Sequence, residues 1–376
     1  MDAFDSANVL ESRLIAQSRK KRTPISASIE LLPLCNMNCG MCYVRFSKKE
    51  MEAKGRLRTK EEWLSLAAQM QKAGVLFLLL TGGEPLLYPE FRELYLALRE
   101  MGFVLTINSN GTLIDEEWAD FFGKYPPRRM NITLYGCDEE TYASLCHYPG
   151  GFEKAKRGVR LLRERHVHVK INGSLVKANQ ADAPRIAQIA KELDAALHVD
   201  TYMYPATRER DRDFDDGVRL SPEEAARLRV LMMQQELSPQ DFMQTAMERL
   251  YRATHMPMGE RVPGRIRCGA GNNAFTINWQ GEMRLCVMLS EPRVPVFDMG
   301  FEAAWEALKT QADKILLAPA CSACPLRAAC NVCAAKALHE TGNYDGVPQY
   351  VCRYSQHMLE YLARAVQACM PEKETK

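Results

Sequence analysis

Short apolar runs alternate with helix-period stretches over roughly the first 200 positions of the chain. Strand patterns fall at 27–34, 75–81, 103–108, 130–134, 167–176 and 197–204. Helical patterns lie between them at 59–73, 89–101, 115–123, 151–165 and 181–194, and a charged amphipathic helix at 6–22 precedes them. The spacing of that first helix suits packing or capping rather than chemistry. Strands that alternate with helices in this way predict parallel pairing through right-handed crossovers. Six such units suit an incomplete barrel or an open α/β sheet. In either case functional groups gather at the carboxyl ends of the strands.

The pattern changes after residue 205. The run 208–216 is dense in charge and predicts a solvated loop. Ser221, Pro222, Glu223 and Glu224 predict a helix start, with serine as cap, proline in the first position and acids in the first turn. The stretch 205–265 therefore reads as a bridge or a lid. Beyond it, 274–278 and 282–285 around a turn at 279–281 predict a hairpin. No internal repeat is visible.

A length of 376 residues suits two or three domains. With 47% apolar and 26% charged residues, global disorder is excluded. Lys plus Arg number 49 against 47 Asp plus Glu, which lacks the basic excess of a nucleic-acid binder. The longest apolar run, 75–80, is too short for a membrane span, and the N-terminus lacks a signal-peptide pattern. The expectation is a cytoplasmic protein with neither nucleic acid nor membrane as partner. In that reducing setting, 13 cysteines point to metal binding or chemistry rather than disulfides.

Cys35, Cys39 and Cys42 form a CxxxCxxC group directly behind the first strand. Zinc would want a fourth protein ligand there, whereas a 4Fe–4S cluster leaves one iron open to a small molecule. Asn36, Asn38 and Gly40 suit a wrapped loop whose amides face anionic sulfurs. Behind the second strand comes Gly82-Gly83-Glu84-Pro85. Its glycines allow close backbone approach to a ligand, and Glu84 suits an ammonium.

Together these two motifs resemble the radical S-adenosylmethionine (SAM) family. The resemblance implies a partial (β/α)6 TIM-type barrel. It also implies a cluster whose open iron chelates SAM, reductive cleavage to a 5′-deoxyadenosyl radical, and hydrogen abstraction from substrate. By the same resemblance Gly82, Gly83, Glu84 and Pro85 hold the SAM amino group. Ser109 and Asn110, in the turn behind the third strand, lie beside SAM. Thr133 lies at the ribose, and Lys170 and Asn172 face the SAM carboxylate. Tyr135 stands where many relatives carry Asp.

Seven further cysteines follow: Cys268, Cys286, Cys321, Cys324, Cys330, Cys333 and Cys352. The predicted hairpin brings Cys268 and Cys286 together, and the CxxC pairs alone would also suit a zinc ribbon. Their order resembles the SPASM extension of radical SAM enzymes over 266–355, so the whole resemblance covers nearly all of 27–355. It implies two auxiliary 4Fe–4S clusters, for three clusters in total. Cys268, Cys286 and Cys333 would hold the first, and Cys321, Cys324, Cys330 and Cys352 the second. The chain departs from the pattern twice. Only Asn331 and Val332 separate Cys330 from Cys333, where three residues are usual. Ala274 stands where some relatives carry another cysteine, which leaves the first auxiliary cluster an open iron. Cys137, Cys146 and Cys369 remain as small hydrophobes, Cys137 falling behind the fourth strand near the mouth of the expected site.

The implied organisation is an N-terminal helix (1–26), a SAM-binding barrel (27–205), a helical bridge (206–265) and a small C-terminal iron–sulfur domain (266–376) with a β-hairpin, helices and Cys-rich loops. Relatives of this layout mostly modify peptides or proteins. The expected activity is therefore hydrogen abstraction from a peptide or protein substrate, as in maturases of ribosomally made peptides. Electrons would come from a donor such as flavodoxin or ferredoxin. Only 26 residues precede the first strand, too few for a winged-helix leader-recognition domain, so leader binding falls to a separate protein or to the N-terminal helix. Sulfatase-maturing relatives carry Asp directly after the cysteine matching Cys286, where this chain has Val287, which discounts that activity. A tetrapyrrole-modifying enzyme is the other catalytic alternative. A non-catalytic iron–sulfur or zinc-binding carrier is the alternative from another class. The sequence assigns no catalytic base.

Overall fold

The computed structural model describes residues 3–205, 218–255, 265–266 and 268–369. Six parallel strands appear in the expected order: β1 (Ser26–Glu30), β2 (Phe77–Thr81), β3 (Val104–Ser109), β4 (Arg129–Thr133), β5 (Val169–Ser174) and β6 (Ala196–Asp200). Each is joined to the next through helix, giving the expected partial (β/α)6 barrel.

Several strands are shorter than the apolar runs predict, for local reasons. β1 stops at Glu30 because Leu31 makes the last bond to Thr81 O, at 2.9 Å, and Pro33 has no N–H to continue. β6 stops at Asp200, whose carbonyl accepts from Leu175 N at 2.8 Å. Beyond that point the chain from β5 has turned away, with Lys177 N bonded to Val218 O at 3.0 Å.

The helices Lys60–Lys72, Phe91–Glu100, Glu116–Lys124, Gly151–Glu164 and Ala183–Glu192 match their patterns closely. Thr59 with Glu62, and Ser221 with Glu224, form capping boxes that fix two helix starts. Two short helices, Lys48–Lys54 and Glu139–Cys146, carry too little periodicity to be anticipated. The charge run 208–216 lies outside the described residues. No helix among the described residues is long and apolar enough to cross a membrane.

The predicted hairpin forms as β7 (Ala274–Ile277) and β8 (Glu282–Arg284), followed by β9 (Arg293–Pro295). It is not confined to a C-terminal unit. β7 pairs in parallel with β1, Ser26 opposite Ala274, so one nine-stranded sheet runs β6-β5-β4-β3-β2-β1-β7-β8-β9.

The sheet has two unlike faces, because side chains alternate along a strand. Ala27, Ile29, Leu78, Leu80, Leu105, Ile107, Met130, Ile132 and Ile171 are buried on the face that the helices cover. The opposite face carries Ser28, Glu30, Thr81, Asn108, Asn131, Thr133, Lys170, Asn172, His198 and Asp200. A polar concave face at the heart of an apolar sheet is the main clue to where ligands go.

Candidate active site

The loop behind β1 is braced from two sides. Gly83 N donates to Leu32 O at 2.7 Å and Glu84 N to Leu34 O at 2.9 Å. A Cβ on Gly82, where φ is +139°, would lie 2.3 Å from Leu32 O, and one on Gly83 2.1 Å from Leu34 O. The close approach that requires these glycines is therefore to the chain itself, not to a ligand as the sequence suggests.

On the other side, Asn38 N donates to Cys146 O at 2.9 Å and Gly40 N to Leu145 O at 3.1 Å. These carbonyls end the helix Glu139–Cys146, where helix acceptors need outside donors. The expected amide-to-sulfur bonds come instead from Met37 N to Cys35 Sγ (3.4 Å) and Arg45 N to Cys42 Sγ (3.3 Å). Burial pushes the Cys35 thiol up to about 12, with Glu84, Cys42 and Cys39 adding to the rise. A thiol so placed becomes a thiolate only beside a cation, which is what a metal ligand requires.

Glu84 is wholly buried and accepts from Leu86 N (3.2 Å), Ser109 Oγ (2.9 Å) and Asn110 N (2.8 Å). Burial raises its carboxyl to about 7 against those three donors. It clamps the β2 turn to the β3 turn through three donors, two on Oε1 and one on Oε2, which leaves Oε2 a further acceptor position. The Ser109 hydroxyl donates to Glu84 and accepts from Gly111 N at 3.0 Å. Pro85 starts the short turn behind Glu84 and is buried. Asn110 belongs to the cysteine loop: its Nδ2 lies 2.8 Å from Asn36 Oδ1 and 3.6 Å from Cys35 Sγ. Thr133 and Asn172 pair in register on the polar face. Lys170 lies on that face in register with Asn131, and burial lowers the pKa of its ammonium. Asn131 donates to Asn108 Oδ1 at 2.7 Å, while its own buried Oδ1 has no partner. An orphaned acceptor on this polar face suits a polar ligand such as SAM. Tyr135 is enclosed beside Cys39 and Cys42, so it packs on the cysteine loop.

Sequence reading passed over the end of β6. His198 lies 3.6 Å from Asp200 and 3.5 Å from Glu236, and these two carboxylates raise its imidazole to about 9. Asp200 is exposed, and against the cost of desolvation His198 and Arg229 lower its pKa. The alternation of β6 gave the signal, since it sets His198 and Asp200 on the polar face at a strand's carboxyl end.

The C-terminal cysteines fall into two neighbourhoods. Cys268 lies in the field of Cys333, and Tyr204 feels both Cys333 and Cys286. Cys333 caps the helix Ala334–Thr341 and accepts from Lys336 N at 3.5 Å, while Cys286 accepts from Met288 N at 3.4 Å. Separately, Cys352 lies in the field of Cys330, Cys321 and Cys324, and Ser355 Oγ donates to Cys330 Sγ at 3.3 Å. Among the described residues no three Cys, His, Asp or Glu side chains close on one point as ligands of a single ion. Groups of soft donors that accept N–H and O–H bonds suit a 4Fe–4S cluster, which spreads its sulfur ligands over its corners.

The spare cysteines differ. Cys137 Sγ lies 3.8 Å from Asp138 Oδ2, and burial with Asp182 and Asp138 pushes its thiol up to about 11. Cys146 is fully buried, and Cys369 is exposed at the end of the last helix.

The Radical SAM superfamily profile matches residues 29–189. The AdoMet-dependent heme synthase of Methanosarcina barkeri is 26% identical over 333 residues, 84% of this chain and 92% of that protein. The subtilosin biosynthesis protein AlbA of Bacillus subtilis is 24% identical over 207 residues, 51% of this chain. The chain spans less than half the length of AlbA, at 45%. In structure the chain resembles Streptococcus suis SuiB bound to its precursor peptide SuiA, with a TM-score of 0.66 and 16% identity over 92% of this chain and 81% of SuiB. That likeness shows the fold alone.

Proposed function

We propose that this chain, whose residues 29–189 match the Radical SAM superfamily profile, cleaves SAM reductively and abstracts hydrogen from a peptide or protein substrate at the polar face of the barrel. A 4Fe–4S cluster on Cys35, Cys39 and Cys42 would supply the electron and the chelating iron for SAM. The rest of the site is the protein's own. The Leu145 and Cys146 carbonyls hold the cysteine loop, Glu84 clamps two strand ends, and the orphaned Asn131 acceptor awaits a polar ligand.

The division of the seven C-terminal cysteines into two thiol neighbourhoods carries the peptide reading. It supports two auxiliary clusters, in a domain beginning near residue 266, and a protein electron donor such as flavodoxin or ferredoxin. The AlbA likeness supports a peptide substrate.

The near full-length match to a heme synthase favours a second reading, a carboxylated tetrapyrrole as substrate. One experiment separates the two. Anaerobically reconstituted protein is given SAM and dithionite with either an encoded neighbouring peptide or an iron-coproporphyrin. The peptide reading expects 5′-deoxyadenosine together with a mass-shifted peptide. Turnover of the porphyrin alone would replace it with the second reading.

A further inference from the structure

We propose that the Lys336 ammonium is a fixed positive charge set between the two C-terminal thiol groups, and that it raises the reduction potential of an auxiliary cluster held there. This rests on the auxiliary clusters of the preceding reading.

Lys336 lies in the first turn of the helix Ala334–Thr341, directly after the Cys333 cap, and its amide donates to Cys333 Sγ at 3.5 Å. Its ammonium lies 4.2 Å from the centre of the Tyr202 ring. Protein walls it in on most sides. Burial lowers the pKa of its ammonium, while Cys333 from one thiol group, Asp200, and Cys330 from the other group favour the charge and Arg249 opposes it. No carboxylate among the described residues pairs with it at salt-bridge distance.

An enclosed ammonium is costly without a nearby anion. A cluster bound by thiolates supplies one, because its net charge is negative in both redox states and more so when reduced. A fixed cation at short range in a low dielectric favours the reduced form, and net charge near a cluster is one of the factors that set its potential. Two other cations lie close to the second thiol group. Arg249 lies in the field of Cys330, and Arg327 acts on Cys321. Lys336 acts on a thiol of each group, as a positioning charge and not a catalytic residue.

The test is a redox titration followed by electron paramagnetic resonance on reconstituted wild type, Lys336→Met and Lys336→Arg, after iron counting. Lys336→Met is expected to move the midpoint of an auxiliary cluster to lower potential, while Lys336→Arg stays near wild type with the same iron content. If Lys336→Met fails to load iron, Lys336→Gln takes its place in the same comparison. Unchanged midpoints in the loaded neutral variant overturn the proposal. So does a higher KM at unchanged midpoints, which would make Lys336 a substrate contact. A wild-type count of about four irons removes the auxiliary clusters themselves, and is read before any potential is measured.

Discussion

Gly83 shows how little freedom the site allows a single residue. An added methyl would lie 2.1 Å from the Leu34 oxygen and 2.5 Å from its carbon, both backbone atoms that cannot swing aside. Gly83→Ala is expected to cost more than the roughly 1–3 kcal/mol of ordinary overpacking, read as a large fall in the thermal midpoint of the apoprotein. Gly40 has nothing within 4 Å of such a methyl, so Gly40→Ala should change stability by less than about 0.5 kcal/mol. His198 offers a pH test. Its imidazole titrates near 9 instead of 6.5, because Asp200 and Glu236 favour the charged form. The stability this adds is fully present below pH 6.5 and is lost as the pH rises through about 9. An NMR titration should find that midpoint in the wild type and a lower one in Asp200→Asn. Cys137 sits beside two carboxylates that hold it protonated, so Cys137→Ala is expected to keep full turnover. A substantial loss of 5′-deoxyadenosine yield in that variant would restore a role for the thiol.

Between elements, the pair with most at stake is Arg219 with Glu340. Their side chains are each 9% exposed and 2.7 Å apart, Tyr202 Oη donates to Glu340 at 2.6 Å, and Arg219 stacks 4.0 Å from the Tyr350 ring. The pair ties the segment before the helix Pro222–Glu236 to the helix Ala334–Thr341. Arg219→Met leaves a buried carboxylate without its cation and should cost about 3 kcal/mol in urea unfolding of the apoprotein. The double variant Arg219→Met, Glu340→Met should recover part of that loss. None of this was legible in the sequence, since Arg219 and Glu340 are distant in the chain and lie in no motif. What was legible depended on period and punctuation. The capping boxes at Thr59 and Ser221, and the strand-to-strand rhythm, are local signals that the folded chain obeys. The end of β6 was not, because a strand stops where its partner turns away, and a single sequence does not show the partner. At the site, motif spacing located the cysteine loop and the Gly82–Gly83 turn. It did not reveal that Glu84 and Ser109 bond each other, or that the carbonyls of Leu145 and Cys146 brace the loop.

For the molecule as a whole, the sheet joins the two halves of the chain. Ser26 pairs with Phe77 on one side and with Ala274 on the other. β1, the strand that delivers the cysteine loop, is thus interior only when the hairpin has arrived. During synthesis the barrel strands emerge long before that hairpin, so one edge of β1 stands bare for most of translation. A bare, flat, apolar strand edge is a template for pairing with other chains. A fragment of residues 1–205 should therefore aggregate where the whole chain stays dispersed, which light scattering of both would show. The cysteine loop is attached to the strand that is completed last.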